Sequence, residues 1–480
     1  MLRRRVQLSD EILRIECSGG MDQIPYGEVR FHPHSYGDPA GRLFSWRGQL
    51  YRGISHEATQ FFLNLLQSGT TGDLTRAGLL IDTELTDLSL AGYGMVVRHR
   101  PITFLSYPQE WCAPMFRDAA LAYIDLLAAL ARCRLTLKDT HPWNLTFDRS
   151  QPVFLDFTSI KPLSHDGGYQ GYDKFRRYYL YPLVLMSRGH ERLVRHLLLD
   201  PDGISASDLS ILCRRTVPIG WKSSAGEGLH SGWSKHAAGC RQRLERSFRS
   251  VQWLLADDRG STERLSTDLS RLRRDVESVP LRNLDLQPSA QCSGAPGPTP
   301  TQSPFNAEDI TNAINGLRPG SILIIGNEMK QYSQSAAAAG TPVVFFDTKS
   351  SCVTRIYHEA RAKRWPLLPL VMDFADPTPS RGLSSHVSIA ATERFQCDIV
   401  VALGLVRRLI SQRHLRFHQI VDGLAQFSKQ WVLVDFAPPA SETQSWDTMA
   451  NFITALKEQF PRVTPLSVAA QQNPLFLCEK

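Results

Sequence analysis

A phosphate-gripping glycine motif, paired cysteines, a bilayer-length apolar run and an early lysine are all missing from these 480 residues. Each absence removes a class of function. No G-x-G-x-x-G occurs, so the chain lacks the glycines that let backbone and helix close on a dinucleotide pyrophosphate. Nine scattered cysteines include no C-x-x-C pair; that excludes the usual zinc and dithiol patterns and leads us to expect reduced thiols in a cytoplasmic protein. The longest apolar runs, around Leu126 to Leu130 and Val400 to Val406, fall short of the ~20 residues that cross a bilayer. The basic start Met1-Leu2-Arg3-Arg4-Arg5 leads into Asp10, Glu11 and Glu16, so no secretory signal is expected. Charge of one sign is scarce too. A net +7 permits an anionic partner without demanding one. Acids such as Glu245, Asp257 and Glu263 interleave the arginines of residues 241–274, as on a solvated helix face, and no nucleic-acid partner is expected.

What is present is a soluble globular composition, 42% hydrophobic and 21% charged, in a chain long enough for two or three domains. Residues 287–305, with Pro288, Gly294, Pro296, Gly297, Pro298, Pro300 and Pro304, cannot bury a core and read as an extended linker. Beyond it, 306–480 alternates apolar runs at 321–326, 342–347, 367–372, 398–404 and 430–436 with helix-length segments. That pattern predicts an open parallel sheet covered on both faces. Closing runs at 462–468 and 474–478 suit a terminal hairpin. Before the linker, 1–215 mixes short strands (Leu50 to Gly53, Leu79 to Glu84, Met95 to His99) with a helix near His56 to Gln67. A long amphipathic helix follows at about Pro114 to Arg134, and 216–286 reads as a helical extension.

The most informative stretch is Ser321 to Asp376. Ile322-Leu323-Ile324-Ile325 ends at Gly326; an alanine-rich helical run follows; Val343-Val344-Phe345-Phe346 ends on Asp347. Strand, turn, helix, then a strand closed by a carboxylate is how α/β folds hold a ribose at the carboxyl edge of a sheet. Asp373 closes the next run in the same way, and Asp398, at the start of the fourth, is grouped with them as a cofactor contact.

Lys138-Asp139-Thr140-His141-Pro142-Trp143-Asn144, followed by Phe154-Leu155-Asp156-Phe157, resembles the catalytic segment of the kinase and aminoglycoside-phosphotransferase-like fold. The resemblance implies an α+β kinase-like domain over 1–215, with Asp139 as base and Asn144 and Asp156 as Mg²⁺ positions for ATP chemistry. The departures are plain: Lys138 is the first lysine, no glycine-rich loop precedes it, and Thr158 stands where the third motif glycine belongs. Arg52 or Arg98 would have to replace the phosphate-binding lysine.

The second half is similar to Rossmann-like methyltransferases, which implies S-adenosylmethionine (SAM) held by Gly326, with Asp347 on the ribose and Asp373 at the adenine. The segments 367–377, Glu393-Arg394-Phe395, 398–403 and 431–439, with Ser106 to Trp111 and Lys138 to Asn144 upstream, resemble the class I SAM-dependent methyltransferase family that includes the rhizobial host-specific nodulation protein NoeA. Relatives carry approximately L-D-x-G-x-N-x-G-x-Y-S where this chain has 323–333, so Ile324 stands for a carboxylate and Lys330 for a glycine. Glu328 is the neighbouring anion that would restore the lost charge, and Arg407-Arg408 stand where relatives tend to have a His pair. The expectation is a SAM-dependent methyltransferase-like protein of nodulation type with a degenerate cofactor loop and an unknown methyl acceptor. Asp435 and His414 are the candidate bases. The alternatives are a non-catalytic interaction protein built of two degenerate enzyme folds, or a Mg²⁺-dependent phosphotransferase.

Overall fold

The computed structural model describes residues 22–163, 171–214, 261–281, 307–326, 336–337, 339–436, 448–466 and 474–480. The expected linker, Glu328 and Lys330 lie outside them. Two compact units emerge: residues up to Ile102 with Ser380–Ile389, and Thr103–Pro379 with Ala390–Lys480.

The first unit is an antiparallel five-stranded sheet, in the order β1-β2-β3-β5-β4, of β1 (Arg30–Phe31), β2 (Gly41–Trp46), β3 (Gln49–Ile54), β4 (Thr83–Leu85) and β5 (Met95–His99). Between β3 and β4 lie α1 (His56–Gln67) and α2 (Thr70–Arg76). Arg47 and Gly48 both take positive φ between Trp46 and Gln49, the two-residue turn whose twist matches flanking strands. Phe44, Tyr51 and Val96 form the core with Ile24 and Leu90.

The second unit opens with α3 (Ala113–Arg132). Its expected apolar stripe, Ala119, Ala120, Tyr123, Leu126, Leu127 and Leu130, is buried throughout. Strands β6 (Leu135–Leu137), β7 (Leu145–Asp148), β8 (Gln151–Phe154) and β9 (Ile160–Pro162) make two small ladders, β7 with β8 and β6 with β9. Helical segments cover Tyr172–Met186, Glu191–Leu197 and Ala206–Arg214. Then α4 (Ser261–Glu277) packs on α3, with Arg273 paired to Asp125.

Helix α5 (Ala307–Leu317) leads into a seven-stranded sheet. Its members are β10 (Ile322–Ile325), β11 (Val343–Asp347), β12 (Leu367–Val371), β13 (Cys397–Ala402), β14 (Ser428–Asp435), β15 (Arg462–Pro465) and β16 (Leu475–Glu479). The order is β12-β11-β10-β13-β14-β16-β15; β10 to β14 are mutually parallel and β16 runs antiparallel to both its neighbours. The expected closing hairpin therefore exists as a β15–β16 pair, with β16 inserted against β14. Every residue of β10, β11 and β12 is buried, as continuous apolar runs require when helices cover both faces. Pro369 is tolerated because β12 is an edge strand. The connecting helices include α6 (Ser350–Lys363), α7 (Leu405–Arg413), α8 (Phe417–Phe427) and α9 (Met449–Gln459). This is a Rossmann-like α/β sheet. Its chain order reverses between β10 and β13, the switch point at which such sheets open a crevice beyond their carboxyl ends.

Helix α6 ties this sheet to α3. The Tyr357 hydroxyl donates to Asp118 at 2.6 Å, Arg361 Nε pairs with the same carboxylate at 3.1 Å, and Arg361 Nη1 donates to Ser150 O at 3.2 Å. A second tie is fully buried. Arg394 forms a double ion pair with Glu110, whose side chains are 3% and 1% exposed. Arg394 also donates to Leu105 O and stacks over Tyr107 at 4.2 Å, while Glu110 accepts from Tyr107 N at 2.8 Å. Glu110 and Arg394 thus occupy two of the quoted family segments.

Candidate functional site at the sheet switch point

Parallel pairing aligns the carboxyl ends of five strands in a row: Asp373 beyond β12, Asp347 in β11, Gly326 beyond β10, Gly404 beyond β13 and Asp435 in β14. Adjacent strands lie ~4.8 Å apart, so Asp347 stands one strand and Asp373 two strands from Gly326. The backbone knits these ends together: Gly326 N–H donates to Phe346 O and Met372 N–H to Asp347 O, each at 3.0 Å.

Gly326 has φ +96°, and among the described residues a Cβ there would meet only the Arg408 guanidinium, 3.7 Å away. The turn needs glycine for its dihedral. Asp347 is 2% exposed. One carboxylate oxygen, Oδ1, accepts Lys349 N–H at 2.8 Å, while Oδ2 has no partner among the described residues. A buried acceptor left without a donor costs about 1–3 kcal/mol, and a ribose hydroxyl is a donor of the right kind.

Asp373 is already engaged. Its Oδ1 accepts Ala375 N–H at 3.0 Å and its Oδ2 is paired with Arg413. Both Arg408 and Arg413 belong to α7, one reaching the end of β10 and the other the end of β12. Two guanidinium groups of one helix therefore reach two different strand ends of the row. Neither arginine was picked out as a cofactor contact from the sequence.

Asp398 is not part of this row. It lies at the start of β13, where its carboxylate accepts Gly320 N–H at 2.7 Å and its own N–H donates to Ser321 Oγ at 3.0 Å. That is the amino edge of the sheet, and the expected cofactor role is corrected accordingly. Asp435 is 2% exposed and accepts Gly404 N–H at 2.7 Å; it latches the β13 turn, where Gly404 has φ +68°. His414 caps α7 in a left-handed conformation and is exposed.

The second expected constellation also falls within this unit. Lys138 N–H donates to Ser159 O at 2.8 Å and Leu155 N–H to Asn144 O at 2.8 Å, so Asp139, Asn144 and Asp156 come from adjoining turns. Asp139 Oδ1 closes its own turn by accepting Thr140 N–H at 2.7 Å, and Asp156 Oδ1 accepts the Thr158 hydroxyl at 3.0 Å. Burial pushes the His141 imidazole down to about 4, with Asp139 pulling weakly the other way. Its Nδ1 accepts Trp143 N–H at 3.3 Å and its ring lies 4.6 Å from that of Tyr178; it is a neutral packing group. In the first unit, Arg52 is buried and pairs with Asp38 at 2.9 Å, and Arg98 pairs with Glu84. Among the described residues no cluster of three or more His, Cys, Asp or Glu side chains is arranged to hold a metal, and no helix is long and apolar enough to cross a membrane.

No family model matches the chain. The nodulation protein NoeA of Rhizobium meliloti (strain 1021) is 22% identical over 431 residues, covering 85% of this chain and 85% of that protein. Among solved structures, the bifunctional kinase-methyltransferase WbdD is 16% identical over 36% of this chain and 37% of its own, with a TM-score of 0.26. The N-methyltransferase NodS from Bradyrhizobium japonicum WM9 is 13% identical over 36% of this chain and 91% of its own, TM-score 0.26. Magnesium protoporphyrin IX methyltransferase (ChlM) from Synechocystis PCC 6803, solved with bound SAM, is 16% identical over 36% and 76%, TM-score 0.26.

Proposed function

We propose that this homologue of NoeA is a SAM-dependent methyltransferase-like, nodulation-related protein. Residues 306–480 serve as the methyl-donor domain and the kinase-like region 1–215 presents an acceptor. The observation that carries the reading is the buried Oδ2 of Asp347, without a partner among the described residues, one strand from a glycine whose φ of +96° disfavours any side chain. Asp347 would accept from the ribose hydroxyls, Gly326 would let the main chain approach, and Asp373 would lie towards the adenine. Bound SAM would supply a methyl group electrophilic enough to pass to an oxygen, nitrogen or carbon nucleophile, leaving a thioether. The chain's own share is positioning and exclusion of water. Asp435 accepts from the Gly404 N–H and so holds the β13 turn. The protein works in the cytoplasm, where its thiols stay reduced; burial raises Cys112, Cys397 and Cys478 to about 12.

Calorimetric titration of the full chain with SAM and its demethylated product S-adenosylhomocysteine tests this reading. Binding is expected, and Asp347→Asn should weaken it by tenfold or more, because the amide presents N–H where an acceptor is needed. Failure of both ligands to bind at millimolar concentration overturns it. A second reading, a non-catalytic interaction protein, is favoured by the Arg413 pairing that occupies Asp373 and by apolar Ile324; the failed titration is its expected result. Under the remaining alternative, Asn144 and Asp156 hold Mg²⁺ for ATP and Asp139 is the base.

A further inference from the structure

Among the described residues, a carboxylate oxygen and a guanidinium at the switch point lack a partner of their own. One is the Oδ2 of Asp347. The other is the guanidinium of Arg408, half-buried on α7 and 3.7 Å from the Cβ position of Gly326. Arg413, one and a half turns further along the same helix, is by contrast paired with Asp373. The glycine turn therefore faces a fixed positive charge, and Ile324 below it is fully buried and apolar. A bound molecule that places hydroxyls on Asp347 gains from setting an anion beside Arg408.

We propose that Arg408 binds the α-carboxylate of the cofactor's amino-acid tail, so that this chain grips the tail by its negative end. The inference rests on the methyl-donor reading and assigns a further binding residue within it. A guanidinium suits the task because its planar fork gives two parallel hydrogen bonds to a carboxylate. The turn suits it because any side chain at position 326 would stand between the two. Recognition then divides along the sheet edge: Asp347 reads the ribose, and Arg408 reads the tail.

The division can be measured with two ligands. S-adenosylhomocysteine carries ribose and tail; 5′-methylthioadenosine carries the ribose but no amino acid. Calorimetry on the full chain and on Arg408→Met should show S-adenosylhomocysteine weakened about 10- to 100-fold, the loss of a charge-assisted pair. The affinity for 5′-methylthioadenosine should stay within about twofold. Arg408→Lys, which keeps the charge but not the fork, should fall between. Equal weakening of both ligands, or of neither, overturns the assignment while leaving the methyl-donor reading intact. Adenosine monophosphate binding more tightly than S-adenosylhomocysteine, and losing that advantage in Arg408→Met, would give the tail site to phosphate and overturn it as well. If neither adenosine ligand binds the unaltered chain, the methyl-donor reading and this assignment fall together. Circular dichroism of each variant separates lost binding from lost fold.

Discussion

His99 shows how a single buried residue sets the behaviour of its unit. Its side chain lies within the first unit, 3% exposed, with Nδ1 2.9 Å from the Thr83 hydroxyl. Burial, helped by the charge of Arg52, lowers its pKa from 6.5 to about 3. The unfolded chain therefore takes up this proton first as pH drops. The stability tied to neutral His99 is present above pH 6.5 and is lost between 6.5 and about 3, at up to ~1.4 kcal/mol per pH unit. Urea midpoints at pH 7.5, 6 and 5 should fall steadily in the native chain. His99→Gln, which cannot titrate, should flatten that slope even if it lowers the midpoint at pH 7.5. Among the site residues, Asp347 was legible because a carboxylate closing an apolar run has one usual place in a parallel sheet. The same logic excludes Asp398: an acid that opens a strand stands a strand length, ~15 Å, from acids that close one.

At the scale of elements, Gly326 joins backbone strain to binding. Its φ of +96° disfavours any L-residue, yet among the described residues a Cβ has room, the nearest atoms being 3.7 Å away on Arg408. Gly326→Ala should then cost about 1–2 kcal/mol in urea unfolding, from the dihedral alone; a loss much above that would show that the surroundings are tighter. Most elements could be read from periodicity: α1 spans His56–Gln67 as expected, and β10 to β14 fall within two residues of the expected runs. Strand β2 went unread, although Leu43 to Trp46 alternates and Arg47-Gly48 supplies the turn. The path of α7 was not legible. Arg413 at its end meets Asp373, forty residues earlier in the chain, and no local pattern encodes such a contact.

At the scale of the whole molecule, the second unit depends on one buried ion pair. Segment 103–111 and the 390–395 turn meet through Glu110 and Arg394, both side chains nearly solvent-free. Removing one partner strands a charge, so Glu110→Gln or Arg394→Met should each destabilise by about 3–5 kcal/mol. The double variant Glu110→Leu with Arg394→Met should recover a large part of that, and denaturant midpoints of the three would establish the coupling. Ser106 to Trp111 and Glu393 to Phe395 could be matched to a family by eye, yet nothing in either segment indicates that they touch.

The place of β16 has a consequence for how the sheet assembles. It sits between β14 and β15, both of which precede it in the chain. Until residues 475–479 arrive, one side of Ser428–Asp435 and the inner side of Arg462–Pro465 have no ladder to join. Two unsatisfied rows of amides and carbonyls then face a gap one strand wide, an invitation to any extended peptide of matching pattern. The end of β14, where Asp435 holds the Gly404 turn, gains its second neighbouring strand only when that gap closes.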